Sequence, residues 1–182
     1  MNGVVRVLVL IALLLPPASG LAQSKAKAPA LDADLKRFVH AMTPLTDTPL
    51  GALDGRVVVV TFFASWCPPC RPEFGHLNEV RRSFSKSDVT ILAINLFEDF
   101  FKKGQARRMA RFLDATEPEF AVLRGTSDPD IETRFGGVDR IPTVYIFDRE
   151  GRPSFTFIHQ VDAEKTHATA EEVKAAVRRV LP

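Results

Sequence analysis

The chain has 182 residues, 46% of them hydrophobic and 25% charged, which suits one globular domain with a real core. Its 24 basic and 22 acidic residues leave a formal charge of +2. Such a balance gives no electrostatic case for nucleic acid or an anionic membrane surface as a partner.

Residues 1–22 have the three parts of a secretory signal peptide. MNGVVR carries a cation, VLVLIALLL is a short apolar run, and PPASGLAQ supplies small residues, with cleavage expected after Ala22. The run is shorter than the roughly 20 apolar residues of a spanning helix, and Pro16 and Pro17 end it. A cleaved leader is therefore favoured over a retained N-terminal anchor. No cysteine lies near the cleavage site, which argues against a lipoprotein. The expected destination is the periplasm or another exported location.

Residues 23–44 are expected to be a linker and an N-terminal helix: QSKAKAPA as a disordered basic spacer, then LDADLKRFVHAM with apolar residues at helical spacing. The main domain is placed at 45–182. PLTDTPLGALDG has the Pro, Asp and Gly of a loop. RVVVVTFFA is a continuous β-branched and aromatic run, as in a strand buried on both faces of a parallel sheet. CPPCRPEFGHLNEVRRSF reads as a helix with Phe74, Leu77, Val80 and Phe84 on one stripe, and VTILAINLF as a second buried strand. QARRMARFLDAT is an amphipathic helix whose Arg107 and Arg111, with Lys103, form a solvated face. FAVLRG is a weaker strand and DPDIETRFGG a short helix. PTVYIFDREGRPSFTFIHQ reads as a hairpin, and a capping box from Thr169 to Glu172 opens the last helix. The order β-α-β-α-β-α-β-β-α predicts an α/β fold: parallel strands plus a C-terminal antiparallel hairpin, flanked by helices.

Cys67 and Cys70, in WCPPC, are the only two cysteines. A structural staple across two residues would add little stability, because the loop it closes is so short. A metal site built from Cys67, Cys70 and His76 would need a fourth ligand, and no second Cys pair or paired-His spacing supplies one. The strand-to-helix context places Cys67 at a helix start, where free N–H groups and the helix dipole favour a thiolate. Cys70, a turn further in, is the expected resolving thiol. Trp66, beside the nucleophile, is a candidate to hold a partner.

VVVVTFFASWCPPC together with the downstream GGVDRIPTVYIFDREG resembles the thioredoxin superfamily. The leader, LGALDGRVVVV and AINLFED resemble its TlpA/ResA-like branch, over roughly residues 45 to 181. The resemblance implies a thioredoxin-like fold and a redox-active disulfide between Cys67 and Cys70. It also implies a cis-proline at Pro142, with Ile141 offering backbone groups to a bound substrate. Thioredoxin's buried aspartate falls on Thr61 here, which cannot titrate. The resemblance assigns proton transfer to Glu98 instead, whose pKa is expected to be raised beside the dithiol. Gly75 stands where many relatives have a helix proline, and Pro72 is expected to bend the helix.

The expected function is thus an exported thiol–disulfide oxidoreductase acting on protein disulfides, with no cofactor or metal, as a monomer. Pro68 and Pro69 remove N–H donors from the first turn, leaving a less stabilised thiolate and so a reductant, fed by a membrane thiol donor. The alternatives are a thiol peroxidase of the redoxin group and a copper-binding chaperone using the CxxC pair.

Overall fold

A computed structural model describes residues 26–125 and 130–181; the expected signal peptide lies outside them. The chain runs α1 (Ala33–His40), β1 (Thr43–Pro44), β2 (Val57–Phe63), α2 (Cys70–Ser83), β3 (Val89–Asn95) and a 3₁₀ turn (Glu98–Phe101). It continues through α3 (Gln105–Thr116), β4 (Ala121–Arg124), α4 (Ile131–Arg134), β5 (Thr143–Phe147), β6 (Pro153–Ile158) and α5 (Ala170–Val180). These strands form one sheet in the order β1-β4-β3-β2-β5-β6. β2, β3 and β4 are parallel, and the β5–β6 hairpin joins antiparallel to β2. This is the mixed α/β sheet the sequence predicts.

Every residue of β2 and β3 is buried, because helices cover both faces of the sheet. Side chains alternate along a strand, so Val57, Val59 and Phe63 enter one apolar layer, packed with Phe74 and Leu77 of α2, Phe112 of α3 and Val173 of α5. Val58, Val60 and Phe62 enter the other, with Leu35 and Val39 of α1, Ile131 of α4 and Tyr145 of β5. Thr61 takes an odd position and so faces the α2 side.

Three expectations are corrected here. The spacer does not remain disordered throughout: from Ala26 it docks, with the Lys27 N–H donating to Gly136 O at 3.0 Å, the Leu31 N–H donating to Gly151 O at 2.8 Å, and Ala28 and Leu31 buried. The loop after α1 begins with a short strand, since Thr43 and Pro44 pair with Arg124 and Leu123. Pro72 is the third residue of α2, within the first turn, where backbone N–H groups have no intrahelical acceptor to lose. The reason given for a bend therefore falls away.

Gly136 shows why the N-terminal strap fits. Its φ is +77°, and a Cβ there would sit 1.7 Å from Lys27 O. Gly136→Ala is expected to release the strap and cost at least ~2 kcal/mol. Gly75→Ala, in the open interior of α2 with nothing within 4 Å, should instead stabilise by about 0.5–1 kcal/mol. Denaturant melts of the two variants check this.

Candidate active site

β2 ends at Phe63, and the chain makes a turn before α2. The Cys67 N–H donates to Ala64 O at 3.1 Å, and the N–H groups of Cys70 and Arg71 donate to Cys67 O and Pro68 O at 3.3 and 3.4 Å. Helix α2 begins at Cys70, with Pro69 as its N-cap, and not at Cys67 as the sequence suggests. Cys67 and Cys70 are joined by a disulfide, with Cα atoms 5.4 Å apart. Cys70 is fully buried and Cys67 is 4% exposed. Cys67 thus meets solvent through a cavity of about 380 Å³, whose walls include Trp66, Phe97, Phe100, Ile141, His159 and Val161.

Behind the dithiol lies a carboxylate that the sequence reading passed over. Glu73 follows Cys70 by three residues, so the two share a helix face, with Cβ atoms expected about 5–6 Å apart. Glu73 has no exposed surface. One of its carboxylate oxygens accepts from the Thr61 hydroxyl at 2.5 Å, and the other from the Ala168 N–H at 3.4 Å. Burial raises its pKa to about 8, against the opposing pull of those two hydrogen bonds. The signal was present in the sequence: Glu73, Leu77, Val80 and Phe84 share one helical stripe, and a carboxylate in an apolar stripe is costly unless used.

Glu98 sits on the other side of the turn. Its carboxylate accepts from the Ser65 N–H at 2.9 Å, the Ser65 hydroxyl at 2.5 Å and the Asn95 amide at 3.0 Å, and Arg108 lies 3.6 Å away. It lines a different cavity of about 560 Å³, with Met109, Leu113 and Arg124. Glu98 therefore ties the 3₁₀ turn to the residue that precedes Trp66. The Trp66 indole N–H donates to Phe97 O at 2.8 Å, a second tie. Phe97 accommodates both with a left-handed φ of +54°, sparsely populated by residues other than glycine.

On the far wall the Ile141–Pro142 peptide is cis. Pro142 O accepts from the His159 N–H at 3.0 Å, and Ile141 lines the Cys67 cavity. Cys67, Trp66 and Ile141 thus converge on one cavity, with Pro142 next to it and Glu98 behind the turn. His76 points elsewhere and stacks on His167, with ring centroids 5.2 Å apart.

Residues 23–174 match the Redoxin family. The chain belongs to that family. Among curated relatives of this Redoxin protein, the thiol-disulfide oxidoreductase ResA of Geobacillus thermodenitrificans is 29% identical over 98 residues, 54% of this chain and 52% of its own. ResA of Bacillus thuringiensis is 25% identical over 131 residues, covering 71% and 66%. The chain spans about half to two thirds of the length of these relatives. A thioredoxin-family thiol:disulfide interchange protein from Chlorobium tepidum has the same fold, with a TM-score of 0.57 at 23% identity over 71% of this chain and 83% of that one. These likenesses agree with the TlpA/ResA-like resemblance read from the WCPPC and IPT segments.

Because Glu98 satisfies both Ser65 donors, Glu98→Ala leaves a part-buried N–H and hydroxyl without that partner. It is expected to lower stability by about 1–3 kcal/mol and to loosen the 3₁₀ turn, read as faster amide exchange at residues 97–101.

Proposed function

We propose that the protein is a thiol–disulfide oxidoreductase acting on protein disulfides. The observation that carries this reading is the adjacent Cys67–Cys70 disulfide: one sulfur at a cavity, the other buried on the helix face of an acid with a pKa near that of a thiol. In the reduced protein, the Cys67 thiolate attacks a partner disulfide, forming a mixed disulfide and releasing one partner thiolate. Cys70 then loses its proton, attacks Cys67 and releases the second partner thiolate. The partner gains two electrons and the Cys67–Cys70 disulfide is restored.

Glu73 is the group that takes the Cys70 proton. A carboxyl whose pKa is raised to about 8 is brought toward the thiol range, which suits it to exchange a proton with Cys70 on the same helix face. Glu98, held by Ser65 and Asn95 and lining the other cavity, fits a positioning role better than the proton-transfer role expected of it. Trp66, Ile141 and Pro142 are the partner-binding residues of this reading.

The two prolines bear on the direction of electron flow. The N–H groups of Cys70 and Arg71 are engaged in turns to Cys67 O and Pro68 O, so little backbone donor capacity remains for a Cys67 thiolate. This supports a reductase; on the same reading the protein works after export, as a monomer, and is recharged by a membrane thiol donor. Among the described residues no helix is long and apolar enough to cross a membrane. The secreted Mycobacterium tuberculosis disulfide oxidoreductase, similar in fold at 19% identity and a TM-score of 0.53, is an exported protein of this shape. The peroxidase alternative predicts direct turnover of hydrogen peroxide by the dithiol. The copper alternative predicts retention of Cu(I) by the reduced Cys67–Cys70 pair against a weak chelator.

Cys70→Ala should accumulate partner proteins linked to Cys67, while Cys67→Ala should trap none. Non-reducing gels of the reduced variants mixed with oxidised periplasmic protein read the difference, and the reverse pattern overturns the order of attack.

Glu73→Gln should slow resolution of the mixed disulfide by about 10²-fold and remove its rise as pH climbs through about 8. The same change alters stability in a defined direction. A carboxyl whose pKa is raised on folding stabilises fully below its unfolded value, 4.5, and loses that contribution as pH rises to about 8. The loss is on the order of 5 kcal/mol at 1.36 kcal/mol per pH unit. Denaturation midpoints at pH 5 and pH 9 should therefore differ less for Glu73→Gln than for the wild type.

A further inference from the structure

The described surface exposes three large hydrophobic side chains: Phe100 at 70%, Phe101 at 55% and Val161 at 59%. They are not scattered. Phe100 and Val161 are on the walls of the Cys67 cavity, and Phe101 packs edge-on against Trp66 with ring centroids 5.4 Å apart. Phe100 meets the same indole edge-on at 5.8 Å and Phe97 at 5.9 Å. The Trp66 N–H is already committed to Phe97 O, so the indole presents only apolar surface to the cavity.

This shelf is held in place. Glu98 fastens the start of the 3₁₀ turn to Ser65, and the Gln105 amide donates to Glu98 O at 3.1 Å. The Arg108 guanidinium donates to the carbonyls of Phe101 and Lys103. These polar contacts keep two phenylalanines in water beside the nucleophile. Exposed apolar side chains gathered at one functional cavity mark a surface that is covered in use.

We propose that the preferred substrate is a polypeptide cystine with a large apolar or aromatic side chain beside the cysteine. That side chain would insert between the Trp66–Phe100 shelf and Val161 as Cys67 attacks the adjacent sulfur. This rests on the oxidoreductase reading and adds the class of substrate to it. The occupant follows from continuity: the shelf opens onto the same cavity as Cys67, so whatever brings a disulfide to Cys67 must also lie over Phe100 and Val161. Burial of the flanking side chain makes the contact with the polypeptide nearest the reacting sulfur, where it favours the transition state as well as binding.

The test uses two short peptides, each a symmetric dimer joined by one disulfide, with Phe or Ser on both sides of the cysteine. The dithiothreitol-reduced protein, freed of reductant, is mixed with each in single turnover; one dithiol is oxidised for each peptide dimer reduced to two thiols. The Phe peptide should react with a kcat/KM about tenfold higher. That preference should fall toward one in Phe100→Ala and in Val161→Ser, and should persist in Phe100→Leu, which keeps an apolar wall. Equal rates for the two peptides, or a preference untouched by both wall substitutions, overturns the proposal. Reaction of the wild type with glutathione disulfide keeps the two readings apart: no thiol release from any disulfide defeats the oxidoreductase reading itself.

Discussion

Strand β2 has no side that faces water, and the positions of the reactive groups follow from that constraint. With both faces buried, a slip of one residue would exchange the two apolar layers, so the register of Val57–Phe63 against β3 and β5 is strongly specified. That register sends Phe62 to the α1 side and Thr61 and Phe63 to the α2 side. It also fixes where the strand runs out, and hence where the Ala64–Pro69 turn presents Cys67. The hydroxyl on Glu73 and the sulfur at the cavity are two results of one alternation.

The two acids beside this turn are treated differently by their surroundings. Glu73 has a neutral hydroxyl and one long backbone contact for company, with no cation among its partners, so burial dominates and the proton is held tightly. Glu98 is met by a backbone N–H, a hydroxyl, an amide and a nearby guanidinium. Those hydrogen bonds fix the Glu98 carboxylate in place. One carboxyl is thereby suited to exchanging a proton with a thiol, and the other to holding two chain segments together.

The walls of the cavity are supported from opposite ends of the molecule. The aromatic wall hangs on Glu98 and Arg108. The Ile141 wall follows Gly136–Val138, where the N-terminal strap docks through Lys27. A segment that precedes the sheet by some fifteen residues and more thus braces the loop that leads to Pro142. The close approach of Lys27 O to Gly136, which no side chain larger than hydrogen allows, is the contact that makes this possible.

Much of this was legible in the chain itself. The unbroken run RVVVVTFFA announced a strand buried on both faces, the apolar stripe after WCPPC announced its helix, and the Thr169–Glu172 capping box appears with both of its hydrogen bonds. Those signals are local: period, cap and turn chemistry are carried by residues within one element. What only the tertiary structure decided is how distant elements meet. Glu73 became a raised-pKa acid because packing between elements buries it completely, and the hydrogen bonds from Thr61 and Ala168, 12 and 95 residues away, offset that only in part. Glu98 became a clasp because Ser65, 33 residues earlier, arrives with two donors. Phe100 and Val161 came to line one cavity because the sheet brings the 3₁₀ turn and the segment after β6 together. Burial and partner identity are properties of packing between elements, and no periodicity within one element encodes them.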